Sequence, residues 1–433
     1  MDKDWQPVNT ELETDQALQC FYRAAIVNDL PIAIWRFPHR SEKQAMIDFS
    51  GKIKLVEIDF QGLPTGFLIV PFHSARRHIC NYVRADILLE GSKYLIRESS
   101  AREHPAVQAN RARVEKILLQ YGGAKGNSKN RNQRFWFEGS GEASGGKSPG
   151  KEEYCTLVKK SLADITAGKL EKVVLSRAIE VDLQKSFDPL LLFNTLCDVY
   201  SNAFVSLIAL PGIGTWLGAT PELLFRLSDD SLTTAALAGT RPVSSKNQSW
   251  QGKWGEKEIV EQAIVSEFIR RCFAEHGISD FSEERTESVR IGDLLHLQTL
   301  FSLQNVASHG SNIPEKLLRA LHPTPAVCGV PQREAMAFIE KEEAHDRGFY
   351  AGYLGPVNLA DETCLYVNLR CMQLRTNTAI LYAGGGITID SDPEQEWLET
   401  ELKFDALRKF LSNDIYEEAF LEGGAASKVL CYD

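Results

Sequence analysis

The chain has 433 residues, 43% of them hydrophobic, and a formal net charge of -10. That length suits two domains or one large two-lobed unit with a sizeable core. So acidic a chain has no general footprint for nucleic acid or an anionic membrane surface, and an anionic small molecule would need a local basic site or a metal.

The N-terminal residues 1–16 are polar, with no signal-like apolar run, and no stretch is long and apolar enough to span a bilayer. This predicts a cytoplasmic protein without membrane or nucleic-acid partners. The nine cysteines are scattered and none forms a CxxC pair, which predicts reduced thiols rather than a disulfide framework or a zinc site. Along the chain, the first strand-like run of note is Gly66–Val70, in an N-terminal part (1–121) that offers little chemistry. Residues 122–151 are rich in Gly, Ser, Lys and Asn. Apart from Phe135, Trp136 and Phe137 they have little to bury, which predicts a flexible linker.

The C-terminal part (152–421, then a tail, 422–433) mixes strands and helices without a βαβ rhythm. Lys172–Leu175, Ala203–Leu210 and Thr378–Ala383 read as strands, and Ser249–His276 and Glu394–Ser412 have helical periodicity. No GxGxxG follows a strand and no Walker A loop is present, so a nucleotide-binding α/β fold is not indicated.

The chemistry concentrates in this part. Asp392-Pro393 is a helix-start signal, and Glu396, Glu399 and Lys403 then follow on one helical face. Glu258 and Glu261 repeat the i, i+3 spacing on the earlier helix. Two such pairs could hold a hard divalent ion such as Mg2+, although each is equally the pattern of a solvated helix face. Gly384, Gly385 and Gly386 after a strand read either as a loop that lets backbone N–H groups approach an anion or as a plain tight turn. Arg370, at the end of an apolar strand, either pairs with a buried acid or clamps a carboxylate. Lys172, leading into an apolar run, either snorkels or is a partly desolvated amine fit to act as a base.

In order, LEKVVLSRAIEV, GATPELLF, LAGTRP, KEIVEQAIV, HLQT, LHPTPAVCGVP, RGFYAGYLG, VNLRC and AGGGITIDSDPEQEWLETELK resemble the chorismate-utilising enzymes. These include isochorismate and salicylate synthases and the large subunits of anthranilate and aminodeoxychorismate synthases. The resemblance covers about residues 150–421. It implies an α/β (α+β) unit of layered, mostly antiparallel sheets flanked by helices, with the site between the sheets.

The resemblance also implies roles. Lys172 is the base that activates water and Glu222 the acid that protonates the departing C4 hydroxyl. Glu261 and Glu399 bind magnesium directly, and Glu258 and Glu396 reach it through water. Tyr350, Arg370, Lys403 and Gly384–Gly386 surround the substrate carboxylates, while Gly239, Thr240, His296, Ala326 and Leu369 line the site. One departure is that the family usually has Glu-His on the metal helix and here Gln262 follows Glu261. A second register would put Glu256 on the metal instead.

Lys172, where ammonia-using relatives have Gln, and Ala238, where the covalent ones have Lys, both imply water as nucleophile. The expectation is an isomerase forming isochorismate from chorismate, for menaquinone or siderophore biosynthesis. It would act as a monomer without a glutaminase subunit. Salicylate synthase is the alternative, and a catalytically dead chorismate-binding regulator the reading from another class.

Overall fold

The computed structural model describes residues 5–8, 13–73, 79–98, 103–121, 136–137, 149–243, 254–291 and 294–411. The 422–433 tail and most of the 122–151 linker lie outside these.

The strands read as nearly continuous apolar runs because they are covered on both faces. In Ile32–Arg36, Ile32 and Ile34 join one core and Ala33 and Trp35 the other. Phe204–Leu210 divides the same way, with Phe204, Ile208 and Leu210 to one side and Val205, Leu207 and Ala209 to the other. The period of two therefore builds two cores from one sheet.

That sheet has eleven strands, in the order Trp5–Val8, Lys93–Arg97, Ile87–Glu90, Lys43–Ile47, Ile32–Arg36, Phe204–Leu210, Gly214–Thr220, Cys371–Leu374, Thr378–Ile387, Lys172–Asp182 and Gly329–Val330. A ten-stranded sheet runs Ser282–Glu283, Leu294–Gln304, Ser231–Pro242, Leu223–Ser228, Glu362–Val367, Tyr353–Val357, Gly66–Val70, Ile79–Arg84 and Lys54–Glu57, with Glu287–Ile291 also on Leu294–Gln304. Among the described residues every strand pair of the two sheets is antiparallel. Strands from before and after the linker share both sheets, as Ile32–Arg36 on Phe204–Leu210 and Gly66–Val70 on Tyr353–Val357 show.

The outer core of the eleven-stranded sheet is closed by helices Thr14–Val27, Pro105–Tyr121 and Pro189–Val199. Trp136 and Phe137 are fastened to the same side: the Trp136 indole donates to the Arg375 carbonyl and the Phe137 amide to Thr215 Oγ1, both at 3.0 Å. The inner core lies between the sheets. There Phe204 stacks on Tyr366 of the other sheet with centroids 4.3 Å apart. Phe204 is fully buried, so its truncation to Ala would cost about 3–5 kcal/mol.

Several boundaries move from those read in the sequence. Lys172–Leu175 is the start of a longer strand, Lys172–Asp182. The first acidic helix begins at Glu256, after Gly255, and ends at Glu275. The last helix is Pro393–Arg408, capped as expected by Asp392, whose carboxylate accepts from Glu394 N and Gln395 N at 3.0 Å. Among the described residues no helix is long and apolar enough to cross a membrane, and eight cysteines are free thiols.

Candidate active site

The chain passes between the sheets at two neighbouring crossings. Gly214–Thr220 belongs to one sheet and Leu223–Ser228 to the other, so Pro221 and Glu222 lie in the passage. The return runs from Glu362–Val367 to Cys371–Leu374 and carries Leu369 and Arg370. Arg370 turns the corner with φ +46°. Thr220 Oγ1 donates to the Val367 carbonyl, holding the crossings together.

Both crossings open onto one cleft. Lys172, Val174, Gly384 and Gly386 come from paired strands of the eleven-stranded sheet. Gly239, Thr240 and His296 come from the ten-stranded sheet. Ala326, Tyr350 and Leu369 close the sides, and Glu261, Glu399 and Lys403 come from the two acidic helices.

The cleft is electrostatically uneven. Lys172 is only 2% exposed, and among the described residues its ammonium has no hydrogen-bond or ion-pair partner. Glu222 is 4% exposed. Burial pushes its carboxyl up to about 7, although Lys172, the neighbouring Thr324 hydroxyl and Lys403 pull the other way. The Arg370 guanidinium likewise has no partner among the described residues. Burial works against its charge, with Tyr200, Tyr350 and Glu399 opposing that effect. A charged, planar donor without an acceptor, aimed into a cleft, is suited to a carboxylate that arrives with a ligand.

His296 is buried and neutral, its imidazole pushed down to about 3, mainly by burial and the nearby Arg370 charge. Its Nδ1 lies 2.9 Å from the Gly239 carbonyl, an acceptor, so Nδ1 carries the proton. Nε2 is left as a buried acceptor without a partner.

The four glutamates do not all converge. Glu261 and Glu399 both face the cleft. Glu396 is fully buried beside it and takes the Lys257 ammonium at 2.7 Å. Lys257 is held above its ordinary value: burial opposes its charge, but Glu396, Glu399 and Glu261 outweigh it. Glu258 instead is turned to Arg241 at 3.2 Å. Glu256, in the competing register, is exposed at the start of its helix. Among the described residues no three acidic, histidine or cysteine side chains close on one point. A magnesium ion nonetheless fits Glu261 and Glu399: the donors are all carboxylate oxygens, and this ion commonly keeps one or two carboxylates and several waters. Glu261 sits over a cradle at Gly386, where a Cβ would lie 2.9 Å from its Oε1.

Residues 95–412 match the family of chorismate binding enzymes. The chain belongs to that family. It is 29% identical over 277 residues to the isochorismate synthase DhbC of Bacillus subtilis, covering 61% of this chain and 69% of that one. It is 31% identical over 271 residues to the isochorismate synthase MenF of Escherichia coli, covering 61% of each. The aligned segments thus span about three fifths to two thirds of these curated relatives. In fold it is similar to the solved menaquinone-specific isochorismate synthase MenF of Escherichia coli, with a TM-score of 0.72 at 23% identity over 94% of both chains. It is also similar to anthranilate synthase component I of Streptococcus pneumoniae, at a TM-score of 0.61 and 15% identity over 94% of this chain and 92% of that one.

In this chorismate-binding enzyme, Gln262 faces away from the acidic groups. Its amide donates to the Ala236 carbonyl and Thr299 Oγ1, tying the helix to the ten-stranded sheet. The three glycines are not a loop or a tight turn, as read from the sequence; they lie inside strand Thr378–Ile387. Their use is space. A Cβ on Gly384 would meet the Leu175 carbonyl at 2.7 Å and the Tyr350 hydroxyl at 2.8 Å, and one on Gly386 would meet Lys172 Cε at 2.8 Å. Gly385 alternates to the other face, where its Cβ would meet Glu396 Oε2 at 2.9 Å. Val174 and Tyr382 also line the cleft and were not singled out from the sequence. The strand period could have found both, since Val174 follows Lys172 by two and Tyr382 precedes Gly384 by two.

Proposed function

We propose that the protein is a magnesium-dependent isochorismate synthase, an isomerase that converts chorismate to isochorismate. The observation that carries this reading is the pairing of an unengaged lysine, Lys172, with a carboxyl raised to about 7, Glu222, in one cleft that also holds the unpartnered Arg370 guanidinium.

Water is a weak nucleophile and hydroxide a poor leaving group, so the exchange needs a base and an acid at separate positions on the ring. Lys172 takes a proton from water as its oxygen bonds to C2. The ring double bonds shift, the C4–oxygen bond breaks, and Glu222 gives its proton to the departing hydroxyl, which leaves as water. One water enters and one leaves, so no redox chemistry is needed. Arg370 and Tyr350 bind a substrate carboxylate, and Leu369 packs on the ring side. Glu261 and Glu399 would hold magnesium, with Glu396 as the outer partner and Glu258 drawn off by Arg241, and the ion would offset the charge of the ring carboxylate.

The test is product analysis of chorismate incubated with the protein and magnesium. Isochorismate should accumulate without pyruvate, and exhaustive EDTA treatment should abolish turnover. Stoichiometric pyruvate and salicylate would move the assignment to salicylate synthase. Full turnover after EDTA would remove the metal from the reading.

A further inference from the structure

Two lysines already meet the acidic helix beside the cleft, Lys403 within its lining and Lys257 behind it on Glu396, and they are held differently. Lys403 Nζ lies 2.7 Å from Glu399 Oε1 and also donates to the Gly384 carbonyl at 2.6 Å, so backbone fixes it. Lys257 Nζ donates to Glu396 Oε1 at 2.7 Å. Its side chain is 30% exposed whereas that of Glu396 is wholly buried. Lys257 lies in the first turn of its helix, where a long stem can carry the ammonium from the carboxylates to water without moving the backbone.

We propose that Lys257 is a tethered counter-ion that neutralises the acidic end of the cleft in the metal-free protein and swings out to solvent when magnesium binds. The inference rests on the magnesium reading above. Its physical basis is that Glu396, fully buried, would be costly to leave unpaired, and Lys257 is the cation that meets it. A second cation arriving at Glu261 and Glu399 would be repelled by that ammonium, which has a route to solvent. Magnesium therefore binds more weakly than the carboxylates alone would allow, and the metal-free fold is protected in exchange.

Two measurements on the full chain test this. In the first, lysines of the unaltered protein are labelled with an amine-reactive reagent, with and without magnesium, and Lys257 is followed by mass spectrometry. Its reactivity should rise several-fold on saturation with magnesium. Unchanged or lower reactivity overturns the inference. In the second, magnesium binding without chorismate is measured by calorimetry. Lys257→Gln should bind roughly tenfold or more tightly, and Lys257→Arg, which keeps the cation, should bind like the unaltered protein. The metal-free Gln variant should melt lower and recover more than the unaltered protein when magnesium is added. Equal or weaker binding by Lys257→Gln overturns the inference even if the variant is stable. If that variant does not fold, the labelling result stands alone. Binding that Glu399→Gln abolishes, with Lys257 reactivity unchanged, overturns this inference but not the metal reading; no magnesium binding at all, with or without chorismate, overturns both.

Discussion

Glu222 and Arg370 are set into the cleft by crossings that hold one another, since Val367 N donates to the Glu222 carbonyl and Ala219 N to the Arg370 carbonyl, each at 3.0 Å. The two residues proposed as acid and carboxylate clamp are thus positioned by backbone hydrogen bonds.

With Glu222 as the proposed acid, its carboxyl raised to about 7 by burial, activity should fall as pH rises through that value, because an acid must be protonated before it can donate. The same shift bears on stability. Its ordinary value is 4.5 and its folded value is raised, so its contribution is full below 4.5 and is lost as pH rises from there to about 7. The loss is on the order of 3 kcal/mol. Glu222→Gln should flatten that part of a pH–melting profile and lower turnover about a hundred- to ten-thousand-fold. A profile of unchanged slope would contradict the assignment.

Lys172→Gln removes the base but keeps length and hydrogen bonding. Turnover should fall about a hundred- to ten-thousand-fold while chorismate binding with magnesium persists. Because the Lys172 charge holds Glu222 down, the variant's residual activity should also show its alkaline limb at higher pH. Near-normal turnover would mean another group activates water.

Arg370→Met should weaken chorismate binding by tenfold or more, seen as a higher KM. The unloaded variant should melt no lower than the parent, because the half-buried guanidinium it loses has no partner among the described residues. A marked drop in melting temperature would reveal a structural role instead.

Gly386→Ala and Gly384→Ala should part company. The Cβ at 386 meets the far ends of Lys172 and Glu261, which can move, so turnover should collapse with little change in melting. The Cβ at 384 meets the Leu175 carbonyl of the paired strand, so that variant should lose stability by roughly 1–3 kcal/mol. Thermal melts and steady-state rates on the two variants distinguish these outcomes.

The sequence by itself determined whatever depends on neighbours along the chain. Asp392-Pro393 started the last helix, and helical spacing put Glu399 and Lys403 together, where they form an ion pair of 2.7 Å. The order of motifs identified the family and its layered antiparallel fold. Only the tertiary structure decided which groups meet across elements. Glu258 and Glu261 share a spacing, yet one is held by Arg241 and the other faces the cleft, because Arg241 comes from a strand whose packing on that helix no local pattern encodes. Likewise three glycines resemble a turn when only backbone freedom is considered. Inside a strand they serve to leave room, and the side chains needing that room, Lys172, Glu261 and Glu396, come from over a hundred residues earlier and from the helix that follows.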